Sequence, residues 1–232
     1  MKRIREFLLS TLSLFVFVDG LLCCPLVFFD DTFKEQDWSL RVFFLRVHDR
    51  VSGTATAKQL LGSGNPGAFR RVVIAIDPSG DPRGIWAFNI SRRATYDPRL
   101  QGAITSIEYS EDSRLHYCWE LDREYQGAVM ALKQNGKYYR YRGKPFIPVE
   151  SWKHHGPLKG LRAEHFSNIL DNDDHPDFSS KGSPIEFGFL RYYYNEFGGA
   201  ETVETDIDNW KVVVRRAGKF RRGDANADGK IN

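Results

Sequence analysis

Short runs of strand-forming residues recur between turn signals throughout residues 28–214. One run, Arg71 to Ile76, is rich in β-branched residues and ends at the turn sequence Asp77-Pro78-Ser79-Gly80. A second run, Gly84 to Ile90, follows at once. About ten such strands at this spacing, with no helix of more than two turns between them, are typical of two packed antiparallel sheets. The sequence therefore predicts an all-β fold, a two-sheet antiparallel sandwich.

Alternation within the longest of these runs predicts which side chains face the core. Every second residue from Ile185 to Phe189 is large and apolar, so these side chains share one face of a strand. Farther along the same run, Tyr192 and Tyr194 share one face and Tyr193 takes the other. We therefore expect at least one of the two tyrosine faces to be exposed.

Two other runs predict local geometry. Gln134-Asn135-Gly136-Lys137 lies between two strand-like segments, and Asn-Gly in that position is a strong hairpin signal. The run Ala103 to Tyr109 alternates, which predicts that Thr105 and Ile107 lie on the same face.

The N-terminal residues have the layout of an export signal. Three basic residues among the first five precede an apolar run from Phe7 to Val18. That run is too short to span a bilayer and fits the apolar core of a signal peptide. We predict a signal peptide over residues 1–27 and a secreted, extracellular protein with no membrane span. Lipid attachment at Cys23 or Cys24 is the alternative.

The last ten residues have the spacing of a calcium-binding loop. Asp224, Asn226 and Asp228 fall on positions 1, 3 and 5, which supply oxygen ligands. A glycine follows at position 6, where the loop turns sharply. Lys230 and Asn232 occupy positions 7 and 9, so calcium is the expected cofactor. The alternative is a solvated polar tail.

This C-terminal stretch, residues 223–232, resembles the opening of a dockerin. Dockerins are calcium-dependent modules through which secreted polysaccharide-processing proteins bind cohesin partners. A dockerin has two such loops, each followed by a helix, and the sequence covers less than one loop. The resemblance therefore implies a cohesin partner only if the module were complete. Residues 215–222 are the expected linker between this segment and the sandwich.

Six segments of the body resemble secreted lectin-like sandwich proteins of environmental bacteria. They are Asp30 to Phe33, Gly64 to Arg70, Tyr96 to Pro98, Gln134 to Lys137, Pro176 to Ser179 and Ile207 to Trp210. The resemblance spans most of residues 29–214 and is similar in style to concanavalin-like or jelly-roll domains. Its motifs are structural rather than catalytic, so the resemblance implies a fold and a secreted protein but no reaction.

Glu120, Asp122 and Glu124 have the spacing found in lichenase- and laminarinase-like glycoside hydrolases, which use the same sandwich. On a strand, alternation places all three carboxylates on one face. The resemblance implies a retaining mechanism with Glu120 as nucleophile, Glu124 as acid/base and Asp122 tuning them. Arg123 departs from the family pattern, which has an apolar residue there. The alternative is a charged turn on a solvated strand edge.

Four aspartates suggest a second calcium site. Asp30 and Asp31 lie at the start of the predicted domain, and Asp206 and Asp208 lie at its end. In many carbohydrate-binding sandwiches the first and last strands are neighbours and a calcium ion clamps them through oxygen ligands. The alternative is that these aspartates are turn and strand-end residues.

Aromatic residues make up 14% of the chain, enough to supply both a core and a binding surface. A sugar presents apolar C–H faces beside hydroxyls, so its site needs an exposed ring with hydrogen-bonding groups nearby. The candidate ligand-binding rings are Trp86, Tyr96, Trp152, Tyr192 and Tyr194. Core packing is the alternative for each of them. Trp38 and Trp210, near the domain ends, are expected in the core.

Charge and motifs together lead to a functional prediction. The formal net charge is +3 with no basic stripe, so nucleic acid is not an expected partner. We predict a secreted, non-catalytic, lectin-like protein that binds polysaccharide or another glycan. The alternatives are a glycoside hydrolase acting through Glu120 and Glu124, and a structural or adhesion module without sugar affinity.

Overall fold

Strands make up most of the residues that the computed structural model describes, namely 24–45, 53–77, 83–118, 126–195 and 200–217. The strands within these ranges are β1 (Leu26–Asp30), β2 (Trp38–Leu45), β3 (Gly53–Gly64), β4 (Gly67–Ile76), β5 (Arg83–Tyr96), β6 (Ile104–Cys118), β7 (Gln126–Gln134), β8 (Lys137–Tyr141), β9 (Lys153–Leu161), β10 (Phe166–Asn168), β11 (Ile185–Asn195) and β12 (Glu201–Arg216). The helical elements in the same ranges are α1 (Pro98–Gln101) and short 3-10 turns at Glu35–Asp37 and Ala163–His165. None of these has the length and apolarity needed to cross a membrane.

The strands form two antiparallel sheets that pack against each other, which confirms the predicted all-β sandwich. Sheet A has the order β3-β4-β12-β6-β9, and β1 also pairs with β12. Sheet B has the order β10-β8-β7-β11-β5-β2. This arrangement is compatible with a jelly-roll fold.

The first and last strands of the sandwich are neighbours in sheet A. Leu26 pairs with Val214, and the pairing continues to Asp30 opposite Trp210. The strand β1 therefore begins inside the segment predicted as a signal peptide, residues 1–27. Strand β12 likewise continues to Arg216, inside the predicted linker 215–222, because it remains paired with β6 as far as Ile104.

The main core lies between the two sheets. Ile185, Phe187 and Phe189 are fully buried there, as their alternation predicts. Trp38 and Trp210 are also buried, and their rings meet edge to face with centroids 5.2 Å apart. The expectation that both tryptophans belong to the core is confirmed.

The predicted hairpin joins β7 to β8. Gln134 pairs with Lys137, which leaves Asn135 and Gly136 as the two turn residues. Both have a positive φ, 52° for Asn135 and 75° for Gly136, as a type I′ turn requires.

The face assignment for the start of β6 is wrong at one position. Ile107 is buried as expected, but Thr105 is exposed and Ile104 is buried instead. The pairing of β6 with β12 shifts register between Arg215 and Arg216. A bulge of this kind reverses the alternation locally, and the sequence of β6 alone does not reveal it.

Sheet B carries a second apolar cluster on the face turned away from the main core. Its buried members are Phe88, Ile90, Val129, Ala131 and Leu190. They alternate along β5, β7 and β11 with residues of the main core, so both faces of these strands are apolar. Partly buried side chains, most of them aromatic, pack over the second cluster: Phe43, Trp86, Tyr138, Tyr141, Ile169 and Tyr192.

This outer face of sheet B is strongly concave. Phe43 lies on β2 and Tyr138 on β8, yet their ring centroids are 5.3 Å apart. In a flat sheet, the four strand-to-strand steps between β2 and β8 would separate them by about 19 Å. Strands β2 and β8 therefore curl toward each other, and we call the resulting concave face the aromatic trough.

Candidate functional site

A cavity of about 390 Å³ opens at one end of the aromatic trough, beside the contact between Phe43 and Tyr138. Its lining residues are Leu45, Trp86, Val129, Arg140, Tyr141, Arg142, Gly143, Pro145, Tyr192 and Tyr194. Three of the five rings predicted to bind ligand, those of Trp86, Tyr192 and Tyr194, meet here. We call this cavity the aromatic pocket. Its volume lies in the range of small-molecule sites in proteins, about 300 to 1,000 Å³.

Strand pairing places the three rings side by side. Trp86 on β5 is directly opposite Tyr192 on β11, and Tyr194 is opposite Gly84 in the next row. The ring centroids of Trp86 and Tyr192 are 6.3 Å apart. Directly opposite residues in an antiparallel pair point to the same face, so the register itself directs both rings into the pocket.

Two glycines, one on a neighbouring strand and one just after β8, leave room for tyrosine rings to lie flat against the backbone. Gly127 on β7 is the cross-strand partner of Tyr192, and a Cβ added at Gly127 would overlap the Tyr192 ring. The Tyr141 ring lies over Gly143 in the same way. Because glycine has no side chain, each ring can lie against the backbone, which fixes its orientation in the pocket.

Arg140 on β8 and Arg142, directly after this strand, supply the positive charge of the pocket. The Arg140 guanidinium carbon lies 4.9 Å from the centre of the Trp86 ring, in cation–π contact across the trough. The Arg140 Nε atom is buried and has no hydrogen-bond partner. Burial lowers the pKa of Arg140, while the nearby Tyr192 hydroxyl acts to raise it and Arg142 to lower it.

Tyr192 remains a neutral hydroxyl in this setting. Burial raises its pKa above the ordinary value, and the positive charge of Arg140 only partly offsets that effect. The pocket therefore combines flat apolar ring faces, a phenol hydroxyl and guanidinium donors. These are groups that bind a ligand with both apolar faces and oxygen-rich edges.

A second cavity, of about 310 Å³, lies on the other side of the Phe43–Tyr138 contact. It is lined by residues of both curled edges, including Arg41 from β2 and Lys137 from β8, and by residues 168–170. Leu170 at its rim is 83% exposed. The aromatic trough thus continues beyond the pocket.

Tyr96 and Trp152, the other two predicted rings, lie elsewhere. Tyr96 is fully buried in the main core and its hydroxyl donates to the Gly102 carbonyl at 2.8 Å, so it has no face open for stacking. Trp152 lies beside sheet A, with its ring 5.7 Å from that of Phe69 and under the Arg114 guanidinium. Tyr96 therefore fits the alternative of core packing rather than ligand binding. Trp152 lies apart from the other three rings, beside sheet A.

The four aspartates proposed for a second calcium site do not form one ligand set. Asp206 is fully buried and pairs with Arg71 at 2.7 Å and with Arg114 at 2.8 Å. Asp30 caps the turn after β1 by accepting from the backbone N–H groups of Thr32 and Phe33. Asp30 and Asp206 are therefore committed to other partners, and no group of three or more acidic, His or Cys side chains in the described residues is arranged around an ion.

The largest of the cavities described, about 420 Å³, lies on the outer face of sheet A. Asp112 lies in its wall and accepts hydrogen bonds from the side chains of Asn65 and Asn209, at 3.0 and 2.7 Å. His154 Nδ1 lies 2.6 Å from the other Asp112 oxygen. Asp208 nearby accepts from the backbone N–H of Asn65, and burial raises its pKa. Asp112 in this cavity is therefore already bonded to Asn209 and His154, whereas the Arg140 Nε atom in the aromatic pocket has no hydrogen-bond partner among the described residues.

No group of three or more His, Cys, Asp or Glu side chains among the described residues is arranged to hold a metal ion. The predicted calcium loop, with Asp224, Asn226, Asp228, Lys230 and Asn232, lies outside the described residues. The same is true of the predicted hydrolase residues Glu120, Asp122 and Glu124, and of Cys23. Those predictions stay predictions.

Arg140 and Arg142 are not among the pocket residues predicted from the sequence. Neither are Phe43 and Tyr138, whose rings meet across the trough. Arg140 and Arg142 alternate with Tyr139 and Tyr141 directly after the Asn-Gly turn. An alternating arginine and aromatic pattern on a strand next to a recognised hairpin was the available signal. No protein-family model matches this chain, and a comparison with curated proteins finds no match either.

Proposed function

We propose that this protein binds a polysaccharide or another glycan in the aromatic pocket, without catalysis, as a secreted lectin-like module. The convergence of the Trp86, Tyr192 and Tyr194 rings in one open cavity carries the proposal. Stacking on a sugar needs ring faces that are held in place and reachable from solvent, with hydrogen-bond donors at the edge. The pocket has both.

The shape of the site also supports a chain-like ligand. A second cavity lies on the same face of sheet B, beyond the Phe43–Tyr138 contact. A polymer can contact two cavities on one face, whereas a single small ligand needs only one. A polysaccharide therefore suits the face better than a free monosaccharide does.

Glycan binding by the full chain, compared with variants of the pocket, tests this function. A panel of soluble polysaccharides is screened by affinity electrophoresis, and the best ligand is measured by isothermal titration calorimetry. Tyr192→Ala is expected to weaken binding by about tenfold, because it removes a stacking surface. Trp86→Ala is expected to have a similar effect, because it removes the ring against which Arg140 and Tyr192 pack. Trp152→Ala is the matched control, since it removes a tryptophan beside the other sheet.

Gly127→Ala is a further variant that leaves every aromatic residue in place. The added methyl group would displace the Tyr192 ring from its position over the strand, so binding is expected to weaken while the fold persists. Loss of binding in Trp152→Ala, with Trp86→Ala unaffected, would move the site to sheet A. A folded protein that binds no glycan in the panel would favour the structural or adhesion module.

Calcium removal separates the pocket from the predicted C-terminal loop. None of the described residues that line the aromatic pocket is a carboxylate, so glycan binding there is expected to be unchanged by a chelator. Calcium and a cohesin partner remain expectations tied to residues 223–232. The glycoside hydrolase alternative depends on Glu120 and Glu124, and sugar release that is abolished in Glu120→Gln would support it.

A further inference from the structure

The aromatic pocket has an unbalanced charge. Among the described residues, its lining includes two guanidinium groups, those of Arg140 and Arg142, and no carboxylate. A pocket for a neutral sugar is satisfied by hydrogen-bonding groups of either kind. A pocket with cations alone is complementary to a negative ligand.

Arg140 differs in its partners from other arginines of similar or greater burial in the protein. Arg70, Arg71 and Arg191 each form an ion pair with a carboxylate, at 3.1, 2.7 and 2.8 Å. Among the described residues no carboxylate pairs with Arg140, whose Nε atom is buried without a hydrogen-bond partner. Partly burying a cation costs free energy that a paired anion normally offsets.

The Arg140 guanidinium lies in the wall of the aromatic pocket. Its central carbon is 4.9 Å from the centre of the Trp86 ring, so the ring packs against the group. The planar edge of a guanidinium carries its N–H donors, and that edge matches the two oxygens of a carboxylate. Arg142, exposed at the rim, adds a second positive charge beside it.

We propose that the glycan bound by this protein is acidic, and that Arg140 receives the carboxylate of a uronic-acid residue. This inference rests on the proposed glycan-binding function and names its ligand class. A uronic acid carries its carboxylate directly on the sugar ring, so stacking of the ring on Tyr192 or Tyr194 keeps the charge within the same pocket. Arg140 then selects for the carboxylate, and the aromatic rings bind the sugar ring itself.

The test compares each polyuronate with its own carboxyl-reduced form, in which the carboxylate has become a primary alcohol. Polygalacturonate and alginate, their reduced forms and dextran sulfate are titrated against the full chain and against Arg140→Gln. Loss of one charged contact is expected to weaken polyuronate binding about 10- to 100-fold in Arg140→Gln. The reduced polymers are expected to bind the wild type and the variant equally weakly.

Arg99→Gln is the matched control, because Arg99 is an exposed arginine outside the trough that pairs with Asp97. It is expected to keep the wild-type preference. Arg140→Lys keeps the charge but lacks the fork of donors, and it is expected to recover only part of the polyuronate affinity.

The outcomes separate this inference from the function on which it rests. Equal binding of polyuronates and their reduced forms, lost in Trp86→Ala but unchanged in Arg140→Gln, would overturn the acidic ligand and leave glycan binding standing. Tighter binding of dextran sulfate than of either polyuronate would overturn the carboxylate assignment. Failure of the folded wild type to bind any glycan would overturn both proposals.

Discussion

Glu111 on β6 and Arg191 on β11 form an ion pair in the interior, between the two sheets. The Arg191 Nη2 and Glu111 Oε1 atoms are 2.8 Å apart, and both side chains are at most 1% exposed. Tyr109 donates its hydroxyl to the same carboxylate at 2.5 Å. Burial, together with the Glu111 charge, raises the pKa of Tyr109 well above its ordinary value, so this hydroxyl remains a donor.

Glu111→Gln is expected to destabilise the protein by about 3 to 5 kcal/mol, because it leaves the Arg191 charge buried and unpaired. Urea denaturation followed by tryptophan fluorescence measures the change in the free energy of unfolding. Glu108→Gln is the control: Glu108 pairs with the half-exposed Arg215, so its loss should cost at most about 1 kcal/mol. Similar losses in the two variants would contradict the interior role of Glu111.

Asp30 makes part of the stability depend on pH. Burial alone would raise its pKa, but hydrogen bonds from Phe33, Trp38 and Thr32 outweigh that effect and lower the pKa. A carboxyl with a lowered folded pKa stabilises the fold above its unfolded pKa of about 3.9. That stabilisation is lost as the pH falls through the folded pKa.

Asp30→Asn should therefore cost about 1 to 3 kcal/mol at neutral pH, because a neutral amide accepts these hydrogen bonds less well. The difference between the variant and the wild type should shrink as the pH falls below about 4. Denaturation curves for both proteins at pH 7 and at acidic pH measure this difference in the free energy of unfolding. A difference that is constant with pH would mean that the Asp30 charge is not the cause.

At the scale of single elements, alternation correctly predicts which face of a strand a side chain lies on, wherever the strands pair regularly. The rings of Tyr192 and Tyr194 share the outer face of β11 and Tyr193 is buried on the other, as predicted. The prediction for Thr105 failed where the register of β6 and β12 shifts. A bulge depends on two strands that are far apart in sequence, so neither strand shows it alone.

The β7–β8 hairpin depends on the conformation of its two turn residues. Gly136 has a φ of 75° and open space around a would-be Cβ, so Gly136→Ala costs only the backbone strain. That strain is expected to be about 1 to 2 kcal/mol in the free energy of unfolding. Asn135→Gly is the matched control and should be close to neutral, since glycine also accepts a positive φ. A larger loss in Asn135→Gly than in Gly136→Ala would contradict a type I′ turn.

At the scale of the whole molecule, the strands nearest the two ends of the described residues pair with each other in sheet A. Strand β1 pairs with β12 along its full length, from Leu26 to Asp30. Phe28 packs against the main core and its ring lies 5.6 Å from that of Phe187 on the other sheet. The edge strand β1 therefore contributes to the contact between the sheets.

A chain that starts at Phe29 should be less stable than one that starts at Cys24. It lacks the backbone pairing of Leu26, Val27 and Phe28 with Val212 to Val214 and the packing of Phe28. Phe28 is partly buried, so removing its packing alone should cost less than the roughly 3 kcal/mol upper value for a fully buried side chain. Thermal denaturation of the two chains measures the difference. Equal stability would show that β1 contributes little to the fold.

The candidate site was predictable in its parts but not as an assembly. Trp86, Tyr192 and Tyr194 were identified as ligand-binding candidates from ring chemistry, and Tyr192 and Tyr194 from their shared strand face as well. Trp152 and Tyr96 had the same chemistry, and only their positions in the fold distinguish them. Tyr96 lies on a strand face that the opposing sheet covers, so its ring belongs to the core.

The sequence by itself determined the strands, the Asn-Gly turn and the alternation of buried and outward-facing side chains, because these depend on neighbours within a few residues. Only the tertiary structure decided that β2 and β8 curl toward each other and that Arg140 reaches Trp86 across the trough. Those contacts depend on the order and twist of strands that are distant in the chain. Local propensity does not encode that order, so the pocket exists only once the sheet has formed.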